Sequence, residues 1–164
     1  MGCTAAPQQQ IVNTRNNMPT TITPENTRFI FFHKHPVSAK TRFLKLAHGG
    51  VCGPEALPTL SQLNEGYERD DVKVVMHPGV VTEIAAKSLG LSSSDFVVDL
   101  TYRQQVEVPH NALTVYLVGF KGHDTPDQHL AENDHRFIAI TQAFGLPPVE
   151  MELLRRAYAT IMEG

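Results

Sequence analysis

The chain has no tryptophan and only two cysteines, Cys3 and Cys52, in 164 residues. Two cysteines cannot build the disulfide framework of a small secreted domain, so stability must come from a packed core. Cys3 sits so near the N-terminus that a bridge to Cys52 would anchor little, and two reduced thiols in a cytoplasmic protein are expected. No stretch of about 18 apolar residues occurs, so no membrane-spanning helix is expected. Basic residues are not in excess either. The net charge is −3 with histidine neutral, which works against non-specific nucleic-acid binding. The first ten residues lack the basic and apolar regions of a secretory signal. Gly2 and Cys3 fit part of a dual-acylation motif, but Ala6 stands where serine or threonine is usual. No internal repeat is evident.

What the chain does have is ordinary globular composition, with 41% hydrophobic and 19% charged residues. Its length fits one domain that buries roughly 70% of its unfolded surface. Residues 1–26 are polar and rich in Gln, Asn, Thr and Pro, without helical or strand periodicity. They read as a flexible tail, leaving 27–164 as a single domain.

Phe29-Ile30-Phe31-Phe32 predicts a strand over 28–33, ended by Pro36. Ser38 then resembles a helix N-cap, with Ala39, Phe43, Leu46 and Ala47 on one helical face before Gly49-Gly50. A weaker helical pattern follows over 54–67. Val72, Val74 and Val75 predict a strand over 71–76, and Pro78 suits the first turn of a helix carrying Val81, Ile84, Ala85 and Leu89, with Gly90 at its end. Phe96, Val98, Leu100 and Tyr102 alternate with polar neighbours. That alternation predicts a strand over 95–108, which pairs through the turn at Pro109-His110-Asn111 with a second strand, 113–120. Thr125-Pro126-Asp127 opens a helix with Leu130, Phe137 and Ile138 inward. A last helix carries Val149, Leu153, Leu154, Ala157, Tyr158, Ile161 and Met162. The two helices predict an αα-hairpin. The expected fold is therefore α+β, a small, mainly antiparallel sheet covered by a C-terminal helical hairpin in two layers.

Three groups of residues could carry chemistry. Cys52 precedes the 54–67 pattern, where a helix N-terminus would favour a thiolate. His110 is the candidate base and Asp99 its orienter, which would make a cysteine-dependent hydrolase, deamidase or transferase. His33 and His35 share a strand face and are candidate ligands for a divalent metal, though the ligand set is incomplete. His123, His129 and His135 recur every six residues, a step that does not keep one helical face. Residues 82–105 fit the first helix and turn of a helix-turn-helix, yet the stretch that should form the recognition helix alternates like a strand and offers only Arg103 as a cation. The leading expectation is a small cytoplasmic binding or regulatory protein without catalysis or a cofactor of its own. Its partner would be a protein or small-molecule ligand, and homo-oligomerisation is an option. The cysteine enzyme is the first alternative and the DNA-binding regulator the second.

Overall fold

The computed structural model describes residues 24–67 and 76–163. Their centre is β1, Thr27–Lys34. Its run of phenylalanine and isoleucine is buried on both sides of the pleat, so neither face of this strand can meet water. On one edge β1 pairs in parallel with β6, Asn111–Phe120, over six residues from Thr27↔Thr114 to Phe32↔Gly119. On the other edge it pairs antiparallel with β2, Thr41–Lys45, and with the two-residue β3, Cys52–Gly53. The order across the sheet is β4-β5-β6-β1-β2-β7, with β3 beside β1. Here β4 is Gln62–Leu63, β5 is Phe96–Val108 and β7 is Arg136–Ile138. The β1–β6 ladder is parallel and the others are antiparallel, so the sheet is mixed.

Alternation along β1 sends its side chains into two separate clusters. Phe29 and Phe31 join Leu44, Val118, Phe96 and Phe120, closed over by Val81, Ala85 and Ala86 of α1 (Pro78–Ser88). Ile30 and Phe32 join Phe43, Val115, Leu117 and Tyr102 on the opposite face. That face is closed by Leu153, Leu154, Ala157 and Ile161 of α3 (Pro148–Glu163). Between them in sequence, α2 (Asp127–Glu132) is a single short turn whose Leu130 packs with the α1 side. The α+β class holds, but helices lie on both faces, in place of the expected two layers with a helical hairpin on one.

The expected αα-hairpin does not form. Asp134, at φ 64°, breaks the chain out of α2, and Phe137 and Ile138 become strand residues that pair with Leu44 and Phe43 of β2. This gives β2 the neighbour its edge would otherwise lack. The helix expected from Ser38 is β2 instead. Ala39, at φ 61°, reverses the chain, and its amide bonds the His35 carbonyl at 2.8 Å. Residues 54–67 are irregular apart from β4, so no helix follows Cys52. The strand expected over 71–76 lies outside the described residues except for Met76. Residues 1–23 of the expected tail lie outside them too, while 24–26 form a short 3-10 turn whose Asn26 accepts from Asn111. The patterns for β1, β5, β6, α1 and α3 are met. His77 caps α1 by accepting from Gly79, Pro78 opens it, and Gly90 follows it at φ 71°.

β5 contains the one large irregularity. Asp99 pairs with Leu117, but the next pair is Arg103 with Tyr116, so residues 100, 101 and 102 are extra to the ladder. An odd number of inserted residues exchanges the faces. Phe96 and Val98 point to the α1 side, whereas Tyr102 and Val106 point to the α3 side. Leu100, expected inward, is 60% exposed, and Tyr102 is buried with its hydroxyl donating to the Leu153 carbonyl at 2.9 Å. Chemical denaturation should separate the two. Leu100→Ala should change stability by less than about 0.5 kcal/mol, and Tyr102→Ala should cost about 3–5 kcal/mol. Equal costs would mean that the bulge does not set the faces.

Candidate functional site

The bulge gives the lower half of the α1-side face an unusual composition. Beyond it, Arg103 and Gln105 of β5 point to the same side as Phe96 and Val98. They stand opposite Tyr116 and Thr114 of β6, which in turn face Phe29 and Thr27 of β1. Two rows therefore cross three strands: Gln105, Thr114 and Thr27 in one, Arg103, Tyr116 and Phe29 in the next. Side chains in such rows are within mutual reach. Thr27, Gln105, Thr114 and Tyr116 are all buried. Buried polar groups in this number, beside an apolar cluster, need partners.

Some have them. Gln105 Oε1 accepts from Asn64 Nδ2 at 2.6 Å, and Arg103 Nε donates to the Tyr67 hydroxyl at 2.9 Å. Thr114 Oγ1 and the Tyr116 hydroxyl, by contrast, have no hydrogen-bond partner among the described residues, though Thr114 is 1% and Tyr116 4% exposed. Burial pushes the Tyr116 phenol above its usual pKa, and the charge and polar contact of the nearby Arg103 side chain pull in the opposite direction. The phenol therefore stays protonated near neutrality. Two adjacent hydroxyls, each able to donate and accept, are held rigidly on neighbouring positions of a central strand. Each hydroxyl is shut off from solvent.

The residues singled out from the sequence sit elsewhere. Cys52 is fully buried in β3, paired with Ile30. Its thiol is pushed well above its ordinary pKa, first by burial and then by the Glu150 carboxylate, with Arg28 opposing. That is the reverse of what a thiolate nucleophile needs. Asp99 spends one carboxylate oxygen on the amide and hydroxyl of Thr101, at 3.0 and 2.6 Å, inside the bulge. It shares a row with Leu117, Ile30 and Cys52, three strand spacings and so roughly 14 Å away from the cysteine. His110 occupies the β5–β6 turn at φ 67°, beyond Asn111 and so about 20 Å along the strands from that row. Cys52, His110 and Asp99 are not brought together.

His33 and His35 do lie near one another, with ring centroids 6.2 Å apart, and His123 is 5.4 Å beyond His35. Their hydrogen bonds argue against a shared ion. His33 Nε2 lies 2.8 Å from the Gly122 carbonyl, which can only accept, so Nε2 carries the proton and the buried Nδ1 is left without a partner. His35 Nδ1 accepts from the Val37 and Ser38 amides at 3.1 and 3.2 Å, so its lone pair is spent on the turn. Among the described residues no three histidine, cysteine or acidic side chains are grouped to hold a metal. The other histidines of the six-residue spacing serve locally: His129 bonds the Leu89 carbonyl and His135 accepts from Ala47. The expected recognition helix of the 82–105 motif is strand β5, which removes the helix-turn-helix.

The polar rows were missed because strict alternation places Arg103 and Gln105 on the opposite face. The available signal was the polar stretch Thr101, Arg103, Gln104 and Gln105 inside an otherwise apolar strand. No protein family and no curated protein matches this chain in sequence.

In a Cys3→Ser variant, the Cys52 thiol should stay unreactive toward a disulfide reagent at pH 8 until the chain unfolds. Above the free-thiol value of about 8.5 the unfolded chain loses its proton while the folded chain keeps it. Stability should therefore fall as pH rises past that value, and Cys52→Ala should flatten this alkaline loss. Rapid labelling of the folded protein would refute the burial argument.

Proposed function

We propose that this protein is a cytoplasmic binding protein without catalysis of its own, and that its ligand is a small molecule with hydrogen-bonding oxygens, seated on the polar rows of β1, β5 and β6. The observation that carries the reading is the pair of buried, unpartnered hydroxyls of Thr114 and Tyr116. Nearly all buried polar groups in folded proteins are bonded, and those that are not need an explanation such as a bound group. A ligand that supplies acceptors and donors here removes the cost of leaving them unmade. The Arg103 charge beside the phenol adds a preference for an anionic oxygen, a carboxylate or a phosphate. Against the cysteine-enzyme alternative stands Cys52 itself, fully buried on the other face with its thiol pushed well above its ordinary pKa. A free, fully buried thiol also suits a reducing compartment.

The test combines stability and binding. Thr114→Val and Tyr116→Phe remove the hydroxyls while nearly keeping shape. In the absence of ligand the double variant should be as stable as the native protein or more so. Orthophosphate, citrate and a neutral sugar serve as probes, followed through backbone amide shifts. At least one anion should shift Arg103, Thr114 and Tyr116 saturably, and the double variant should bind it at least tenfold more weakly. A loss of more than about 1 kcal/mol in the unliganded variant would mean that the hydroxyls are bonded internally, and the reading would fail.

A further inference from the structure

Away from the polar rows, the segment that joins β2 to β3 is fastened by histidines. The Leu46 amide bonds the Gly50 carbonyl at 2.8 Å, and the Gly49 amide bonds the Leu46 carbonyl at 2.8 Å. Two further amides of this turn go to imidazole rings. His48 Nδ1 accepts from Gly50 at 3.1 Å, and His135 Nδ1, 88 residues on, accepts from Ala47 at 3.1 Å. His35 and His77 also accept amides through Nδ1, but each works alone. Here two rings from separate parts of the chain hold one turn.

The turn leads straight into the core. Val51 and Cys52 follow it, both fully buried, and β3 is held on β1 by two residue pairs, Phe29↔Gly53 and Ile30↔Cys52. Leu46 folds back over Gly53, where a Cβ would overlap its Cδ1. The Glu150 carboxylate accepts the Val51 amide at 2.8 Å. Two ladder pairs are a small hold, so the position of β3 depends on the turn ahead of it.

An imidazole nitrogen accepts a hydrogen bond only while it is unprotonated. The Ala47 and Gly50 bonds therefore require both rings to be neutral, with the proton on Nε2. A proton added at Nδ1 sets N–H against N–H, and the bond is lost. The surroundings hold charges of both signs. His135 faces His48 of the turn and His129 of α2, with Asp134 beside it in the chain. Glu150 of α3 and the His48 ring both border the place a Gly50 Cβ would take, and Lys45 of β2 is paired with Arg136 of β7. Among the described residues no carboxylate oxygen lies within 4.0 Å of a nitrogen of either ring. Burial holds the His135 ring below the ordinary histidine pKa, Asp134 pulls it up, and His48 and His129 push it further down. The unfolded chain takes this proton near ~6.5 while the folded chain resists it, so stability falls as pH drops below that value.

We propose that residues 46–53 form an acid-released latch. While His48 and His135 are neutral, the latch stays closed on β1. When they take up protons the turn loses both imidazole bonds, β3 leaves Ile30, and Cys52 is uncovered. Release is local, because the ladder between β1 and β6 uses neither bond.

The experiment uses the full chain with Cys3→Ser, which leaves Cys52 as its one thiol. 4,4′-Dithiodipyridine, a reagent that works in acid, labels it at pH 7 and pH 5, and each rate is divided by that of the urea-unfolded chain at the same pH. The normalised rate should rise at least tenfold at pH 5, while the Val115 and Leu117 amides of β6 keep their hydrogen-exchange protection. Nitrogen–nitrogen couplings across the hydrogen bonds should join Ala47 to His135 and Gly50 to His48 at pH 7 and vanish at pH 5. Asparagine offers an oxygen near the place of Nδ1 and does not titrate. His48→Asn combined with His135→Asn should therefore keep Cys52 as closed at pH 5 as at pH 7. A thiol that stays shut at pH 5 in the parent overturns the proposal. So does loss of β6 protection together with thiol exposure, or a paired variant that opens as the parent does. Should the paired variant not fold, the parent decides alone: couplings that persist at pH 5 beside an open thiol overturn the latch.

Discussion

The parallel ladder between β1 and β6 is the constraint on which the rest of the structure depends. Six paired residues run from Thr27↔Thr114 to Phe32↔Gly119, and a parallel pair cannot be joined by a tight turn. Everything between residues 34 and 111, namely β2 to β5 and α1, serves as the connection. Both strands are buried on both faces, so each face needs a cover. α1 supplies one and α3 the other. Close approach at the end of the ladder leaves no room for a side chain at Gly119, where a Cβ would stand 2.8 Å from the Phe32 ring.

Elements that satisfy local and global demands together were readable from the sequence. The Phe29–Phe32 run, the β-branched stretch of β6 and the stripe of α3 each have the period of the structure they form. α1 adds an N-cap, a proline and a terminal glycine. β2 and β7 carried no such signal. Phe43 and Leu44 are adjacent and both fully buried, because β2 lies between β1 and β7 with apolar clusters above and below. A doubly buried strand of five residues has no period-two pattern, and its apolar residues mimic a helical face. β7 has three residues and exists only because β2 offers an edge. Its sequence could not announce a partner supplied from 90 residues away.

The candidate site was less legible than the fold, for a geometric reason. Face assignment beyond residue 99 depends on three residues that leave the ladder, and counting by twos through them gives the wrong side for Arg103, Gln105 and Tyr102 alike. Cys52 drew notice as a nucleophile because a helix was expected after it. With strand and irregular chain there, and Glu150 close by, the same residue becomes a neutral core thiol. The histidines likewise looked like ligands by number and spacing, while the lone pairs of His35 and His135 are taken by backbone amides.

Departures from local consistency are informative when they collect in one place. This chain packs aliphatic and aromatic side chains through most of both faces, and it satisfies its surface charges where they cluster, as in the Glu65, Glu152 and Arg156 network. Against that background, four buried side-chain atoms among the described residues lack a hydrogen-bond partner: Arg28 Nε, His33 Nδ1 and the Thr114 and Tyr116 hydroxyls, the last two standing two residues apart on β6. Simple packing would put valine and phenylalanine at the two hydroxyl positions and be no less stable for it. In Thr114 and Tyr116 the protein holds two hydroxyls on a central strand that the core fixes rigidly. Rigid scaffolding around an unmet polar group is the arrangement a binding site requires, since the ordering cost is met on folding and not on encounter with the ligand.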